Sequence, residues 1–191
     1  IYVDPYKIKG EDKADIVLIT HSHDDHLSIS SLKKVCDENT TIIAPKDVAF
    51  KVKKIPQKET KIVAPGDTVK VGDITVHAVH MYNIRKKKYH PKSKKWVGYT
   101  ITGNGITVYH AGDTERIPEM KNIRCDIALL PLGQTYTMNS VKDAAESAKD
   151  VQAKLAVPIH YGMYEGSARD AEKFKELLTG HMDVVILERT K

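Results

Sequence analysis

The chain has 191 residues, 41% of them hydrophobic and 29% charged, which suits one globular domain (1–191) with a real core. No apolar run approaches the roughly 18 to 20 residues that span a bilayer, so no membrane partner is expected. Thirty Lys and Arg against 25 Asp and Glu give a net charge of +5, too mild to imply nucleic acid binding.

In chain order, Ile1–Val3 reads as a strand ending at Asp4-Pro5, after a start that suggests a preceding segment in the natural protein. The apolar run 14–20 reads as a buried strand that delivers Thr20-His21-Ser22-His23-Asp24-Asp25-His26. In extended chain His21, His23 and Asp25 share a face, and His26 comes from the turn beyond. Ser28 caps a helix through about Asp37, 41–44 is a strand, and Asp47 caps a second helix through about Ile55. Strand-like stretches follow at 61–63, 69–71 and 74–79, the last two flanking a Gly72-Asp73 turn. A polar stretch then crowds Arg85, Lys86, Lys87, Lys88, Lys92, Lys94 and Lys95. Val97–Thr102 and Ile106–Tyr109 form a second hairpin, leading into His110-Ala111-Gly112-Asp113-Thr114. The last third alternates: strand 126–130, a helix capped by Ser140, strand 155–159 ending at His160, a helix from Ser167 to Leu178, and a final strand 184–187. Such alternation predicts an α/β layered protein with helices outside mixed sheets.

Two cysteines, Cys36 and Cys125, cannot form a disulfide framework and fit small buried residues in a reducing cytoplasm. The histidine cluster is a different matter. Three imidazoles and two carboxylates within six positions repel on protonation and are hard to desolvate without a cation. Strands that end at ligand-type residues recur at Asp4, Asp113 and His160. Alone, each has a bland explanation: a turn residue, a helix cap, a core histidine. Beside the cluster they read as a metal site at the rim of a rigid scaffold.

The segment His21-Ser22-His23-Asp24-Asp25-His26 resembles the HxHxDH signature of the metallo-β-lactamase superfamily. The segments around Asp113 and His160 resemble that family's bridging-aspartate and last-histidine segments, in the same order. The similarity is closest to the small hydrolases related to ascorbate-6-phosphate lactonase, which carry segments like Leu130-Pro131-Leu132-Gly133 and Tyr136-Thr137-Met138. The resemblance implies an αββα sandwich with a dinuclear centre, although the family's usual first strand or hairpin is lacking before Asp4. It assigns His21 and His23 to a first divalent ion, and Asp25, His26 and His160 to a second. Asp113 would bridge them, and Asp4 would fix a histidine from behind. Among His77, His80 and His90, His90 leads as the third ligand of the first site and His80 is second. His77 reads as structural, His110 as a core or substrate-contacting residue, Tyr136 as a substrate contact, and His181 as surface. Relatives tend to carry a glycine at Gln134, so a glutamine there is expected to alter substrate access.

The implied chemistry is hydrolysis by a hydroxide shared between two ions, with Asp25 or Asp113 accepting a proton. Zinc is the first expectation, with manganese and iron as alternatives. The expected substrate is a small ester or lactone, anionic if the lysine-rich loop attracts it. A small phosphodiester is the second reading, and a non-hydrolytic metal-binding or redox module is the alternative from another class. Oligomerisation is left open.

Overall fold

Two β-sheets face each other in the computed structural model, which describes residues 1–10 and 12–188. The first sheet is β1 (Tyr2–Val3), β2 (Ile16–Leu18), β3 (Thr41–Ala44) and β4 (Glu59–Ile62), in that spatial order, with parallel pairings. The second is ordered β11 (Asp183–Val184), β10 (Leu155–Ile159), β9 (Ile127–Pro131), β8 (Ile106–His110), β7 (Val97–Gly103), β6 (Ile74–His80), β5 (Thr68–Val71). It is mixed: parallel from β11 to β8 and antiparallel from β8 to β5.

Strand alternation builds the layers. Ile16 and Leu18 of β2 point at the other sheet and meet Ile43, Val76, Ala78, Val97 and Tyr99 in one apolar cluster. Val17, between them, points the other way. With Ile42 and Ala44 it packs on Leu32 and Val35 of α1 (Ile29–Val35) and Val48 of α2 (Lys46–Lys51). On the far side, α3 (Val141–Asp150) and α4 (Ala168–Leu178) cover Tyr109, Ala128, Leu130 and Ala156 with Ala144, Ala145, Ala148, Ala171 and Phe174. Helices thus flank a double sheet, which is the αββα order. Among the described residues no helix is long and apolar enough to cross a membrane.

Ser28, Ser140 and Ser167 each cap a helix by accepting from the backbone N–H three residues on. Asp47 does not cap α2; Pro45 occupies that position without a side-chain bond. The Asp47 carboxylate is drawn away to Ser22 Oγ and Trp96 Nε1, both at 2.9 Å. The last strand is shorter than expected: β11 ends at Val184, because it is the edge of its sheet and the chain leaves its neighbour β10 after Val185 N bonds Ala156 O. Both cysteines are buried, and burial pushes the Cys36 thiol up to about 11 and the Cys125 thiol up to about 12, so neither is a thiolate at neutral pH.

Polar contacts tie the sheets together, among them Val97 N to the Thr20 carbonyl at 3.2 Å. The Tyr99 hydroxyl, from β7, donates to the Ile19 carbonyl at 2.7 Å and approaches the Ile43 carbonyl at 3.2 Å. Tyr99→Phe leaves these buried carbonyls without that donor and is expected to lower stability by about 1–2 kcal/mol, measured by urea unfolding.

Candidate metal centre

The C-terminal ends of four strands share one rim. Asp4 follows β1, the His21 segment follows β2, Asp113 follows β8, and His160 follows β10. Asp4 and His160 both lie in the left-handed region, at φ 46° and 56°. A non-glycine residue pays roughly 1 kcal/mol or more to sit there, and such outliers gather at functional sites. The sharp turn re-aims each side chain out of the strand plane towards the rim.

The His21 segment is not extended throughout. His26 N and Leu27 N both bond His23 O, at 3.0 and 2.8 Å, closing a turn over 23–26. The shared-face expectation therefore ends at His23, and the turn swings Asp25 away from it. Two separate groups result. His21, His23 and His90 offer ligand atoms within 4.8 Å of one another, as do Asp25, His26 and His160. Asp113 lies between the groups. Its Oδ2 is 3.9 Å from His21 Nε2, 3.5 Å from His90 Nε2 and 3.3 Å from His160 Nε2, and its Oδ1 is 3.3 Å from His26 Nε2. Burial disfavours the Asp113 carboxylate, yet the His26 and His160 imidazoles hold it well below the usual carboxylate range.

A cation fits this donor set. Among the described residues, His26 Nε2, His90 Nε2, both ring nitrogens of His160 and Asp113 Oδ1 are buried without a hydrogen-bond partner. Each such orphan costs about 1–3 kcal/mol. His21 Nε2 and His23 Nδ1 face each other at 3.1 Å. Imidazole with carboxylate suits zinc, iron or manganese.

Behind the ring atoms, other residues fix tautomers. Thr20 Oγ1 donates to Asp4 Oδ2 at 2.6 Å, so at 2.9 Å it accepts from His21 Nδ1–H, leaving the lone pair on Nε2, which faces His23. Asp4 Oδ2 also takes His26 Nδ1 at 2.7 Å, and Asp4 Oδ1 takes Thr20 N at 2.7 Å. Asp4, His21 and His26 form a third close group, but both Asp4 oxygens are engaged, so Asp4 braces rather than offers a free oxygen. His90 Nδ1 lies 3.3 Å from Asn83 Nδ2, and burial pushes the His90 pKa down to about 4. Trp96 packs its ring 5.0 Å from His21 and 4.9 Å from His23, and its Nε1 is anchored on Asp47.

Three residues that sequence reasoning missed hold the surrounding loops. Asn83 N donates to His90 O at 2.8 Å and Asn83 Nδ2 to Tyr136 O at 2.6 Å. Glu165 lies 3.0 Å from His160 Nδ1. Glu115 accepts from the backbone N–H groups of Ile84, Arg85 and Lys86, at 2.8–2.9 Å. Glu115 follows the Gly112-Asp113-Thr114 segment directly, the one signal that marks it; Asn83 and Glu165 carry none. Glu115→Gln keeps one acceptor oxygen where three N–H groups converge. It is expected to cost about 1–3 kcal/mol and to speed amide exchange at Ile84–Lys86, read by hydrogen-exchange mass spectrometry.

His80 is not brought to the centre. It lies in β6 beside Tyr82 and lines a separate cavity with His77, Glu119 and Arg124. His77 bonds Thr68 Oγ1 at 2.9 Å, and His181 is exposed. His110 is buried, and its Nδ1 accepts from Gly112 N at 3.2 Å.

Two cavities, about 570 and about 410 Å³, share Tyr6, Asp25, Asp113, His160 and Tyr164 in their walls. His110 faces the larger. The smaller is framed by Tyr6, Tyr89, Tyr136 and Tyr164, with the exposed Asp24 at its wall. The Tyr6 and Tyr164 hydroxyls meet at 2.6 Å. Among the described residues, neither cavity is lined by lysine or arginine. Lys86 Nζ is spent on the Gln134 and Met138 carbonyls, and Lys92 Nζ on Glu119. Lys88 lies over the Tyr89 ring at 4.7 Å. Gln134 folds back, its Nε2 on the Leu132 carbonyl at 2.6 Å, and does not line either cavity.

Residues 2–161 match the family model of the beta-lactamase superfamily domain. A UPF0173 metal-dependent hydrolase of Methanoregula boonei is 33% identical over 97% of this chain and 85% of its own length. A crystal structure described as a metal-dependent hydrolase, from Parabacteroides distasonis, is 37% identical, with a TM-score of 0.85 over 98% of this chain and 84% of that one. CmlA, a diiron β-hydroxylase from Streptomyces venezuelae, shares the fold at 14% identity and a TM-score of 0.74, over 92% of this chain and 44% of that one.

Proposed function

This chain belongs to the beta-lactamase superfamily, and we propose that within it the chain is a metal-dependent hydrolase that cleaves a small ester or lactone with the help of two divalent ions. The observation that carries the reading is the convergence of buried, unpartnered His26, His90 and His160 Nε2 atoms on the Asp113 carboxylate. Relatives named metal-dependent hydrolases at 33 to 37% identity support it.

In this reading His21, His23 and His90 hold one ion, Asp25, His26 and His160 hold the other, and Asp113 serves both. Zinc is the first expectation, with manganese and iron as alternatives. The chemistry these residues would gain from two divalent ions is a lowered pKa for a nearby water and withdrawal of charge from a substrate oxygen. The chain supplies the rest. Asp25 faces both cavities, so it is placed to take a proton from the attacking water and return it to the leaving oxygen. Thr20 and Asp4 keep His21 and His26 in the tautomer that leaves a lone pair on Nε2, while Glu165 and Asn83 flank the rings of His160 and His90. The tyrosine walls of a cavity of about 410 Å³ limit the substrate to a small molecule and present flat apolar faces with hydroxyl tips. Because among the described residues no lysine or arginine lines that cavity, an anionic group on the substrate would be met chiefly by the ions.

The test is metal analysis by mass spectrometry together with turnover on matched lactones and esters, each with and without a phosphate. Two divalent ions per chain and hydrolysis abolished by chelation are expected. Tight ion binding with no turnover of any ester or lactone overturns the hydrolase reading.

A further inference from the structure

The segment Gly133–Met138 runs between the two halves of the centre, and a single buried carboxylate holds it in place. Glu165 Oε2 accepts from Thr135 N at 2.9 Å and Tyr136 N at 2.7 Å, while Oε1 accepts from Thr137 Oγ1 at 2.9 Å. The same Oε1 lies 3.0 Å from His160 Nδ1. A turn at 162–166, with Gly162 N bonded to Glu165 O and Gly166 at φ 64°, folds the glutamate back beneath the histidine. Its carboxylate fills the space beside Gly133, where an added Cβ would overlap the carboxyl carbon. From that anchor the segment reaches the other half. The Tyr136 carbonyl takes Asn83 Nδ2 at 2.6 Å, the same Nδ2 lies 3.3 Å from His90 Nδ1, and Asn83 N donates to the His90 carbonyl at 2.8 Å. Lys86 Nζ clamps the segment on either side, at the Gln134 and Met138 carbonyls.

Glu165 thus touches a histidine of one group directly and reaches a histidine of the other through Tyr136 and Asn83. We infer that Glu165 is a positioning residue for both halves of the centre, so that its removal weakens ion binding at His90 as well as at His160. The inference rests on the reading that divalent ions bind at these histidines. The physical reason is orientation. A ring free to rotate must be ordered when an ion binds, and losing such a bracing partner typically lowers metal affinity by roughly 10–100-fold. A residue bracing only His160 would lower affinity in one half alone.

The test is a Zn²⁺ titration of the metal-free full chain, followed by side-chain ¹⁵N spectra of His90 and His160, which report each half separately. In Glu165→Gln, both histidines are expected to need roughly 10–100-fold more Zn²⁺ to reach half-saturation. Gly133→Ala, which forces the carboxylate out without altering it, is expected to do the same. Thr137→Val, which cuts a tie to the segment and leaves the His160 contact, is expected to weaken the His90 response more than the His160 response. A Glu165→Gln protein weakened at His160 alone, or unchanged at both whatever its melting temperature, overturns the inference. If Glu165→Gln does not fold, Gly133→Ala and Thr137→Val decide it by the same criterion. A wild-type chain that takes up no Zn²⁺ at either histidine overturns the metal-centre reading itself, which is a distinct result from two bound ions left undisturbed by the variants.

Discussion

Asp113→Asn is expected to reduce the two divalent ions of the proposed centre to one or fewer and to lower turnover by on the order of 10²–10³-fold. The substitution is nearly isosteric, so packing around this buried position is preserved. What changes is charge and donor pattern. The carboxylate stands 3.3–3.9 Å from nitrogens of His21, His26, His90 and His160, drawn from both groups of ligands. In the proposed centre its negative charge is what would allow two cations to be held near one another; a neutral amide would leave their repulsion unscreened and point an N–H at one of the sites. Gly112, at φ 64°, sets the approach: a Cβ there would lie 2.5 Å from Met81 Sδ and 3.2 Å from Thr20 Cβ, so the turn before Asp113 tolerates little else. Ion stoichiometry by mass spectrometry and steady-state kinetics check the prediction. An Asp113→Asn protein that retains both ions and near-normal turnover would falsify the bridging assignment.

Chelation is expected to produce the second large effect, on stability as well as on activity. Without ions, several buried nitrogens and an Asp113 oxygen have no hydrogen-bond partner, and the imidazoles of His21, His23, His26, His90 and His160 crowd around one another. An ion present at about 100 times its dissociation constant stabilises a folded chain by about 2.7 kcal/mol. Two such ions contribute roughly 5 kcal/mol, and at about 2–4 °C per kcal/mol for a chain of this size the melting temperature should fall by roughly 10–20 °C in chelator. Calorimetry with and without chelator measures this, and added Zn²⁺ should restore the original transition. A melting temperature indifferent to chelation, in protein shown to carry ions beforehand, sinks the expectation.

Much of the architecture was legible because it depends on local pattern. The apolar run before Thr20 appears as a central strand of the parallel sheet, and the serines at 28, 140 and 167 cap helices as their positions suggest. These features are set by neighbours within a few residues. Asp47 misled for the same local reason. Beside a helix start it resembles a cap, but Ser22 and Trp96, distant in sequence, supply better donors. The lysine-rich loop reads by composition first as a solvated loop and second as an anion-attracting rim; in the fold Lys86 and Lys92 are engaged by carbonyls and by Glu119, and Glu115 pins the loop backbone.

For the centre itself, residue types and their order along the chain specify a dense set of histidine and carboxylate donors at strand ends, and the family signature makes them recognisable. Tertiary structure alone decides how those donors are divided. The turn at 23–26 separates His21 and His23 from Asp25 and His26, and the path of the segment before β7 brings His90 to the first pair while β6 carries His80 to another cavity. Tertiary structure alone also recruits Asn83, Trp96, Glu115 and Glu165, which lie outside the sequence signature. Their positions follow from distances across the sandwich, and spacing along the chain does not encode such distances. The opening cluster therefore announces that cations are to be held. Which groups hold each, and what braces them, is a property of the packed sheets.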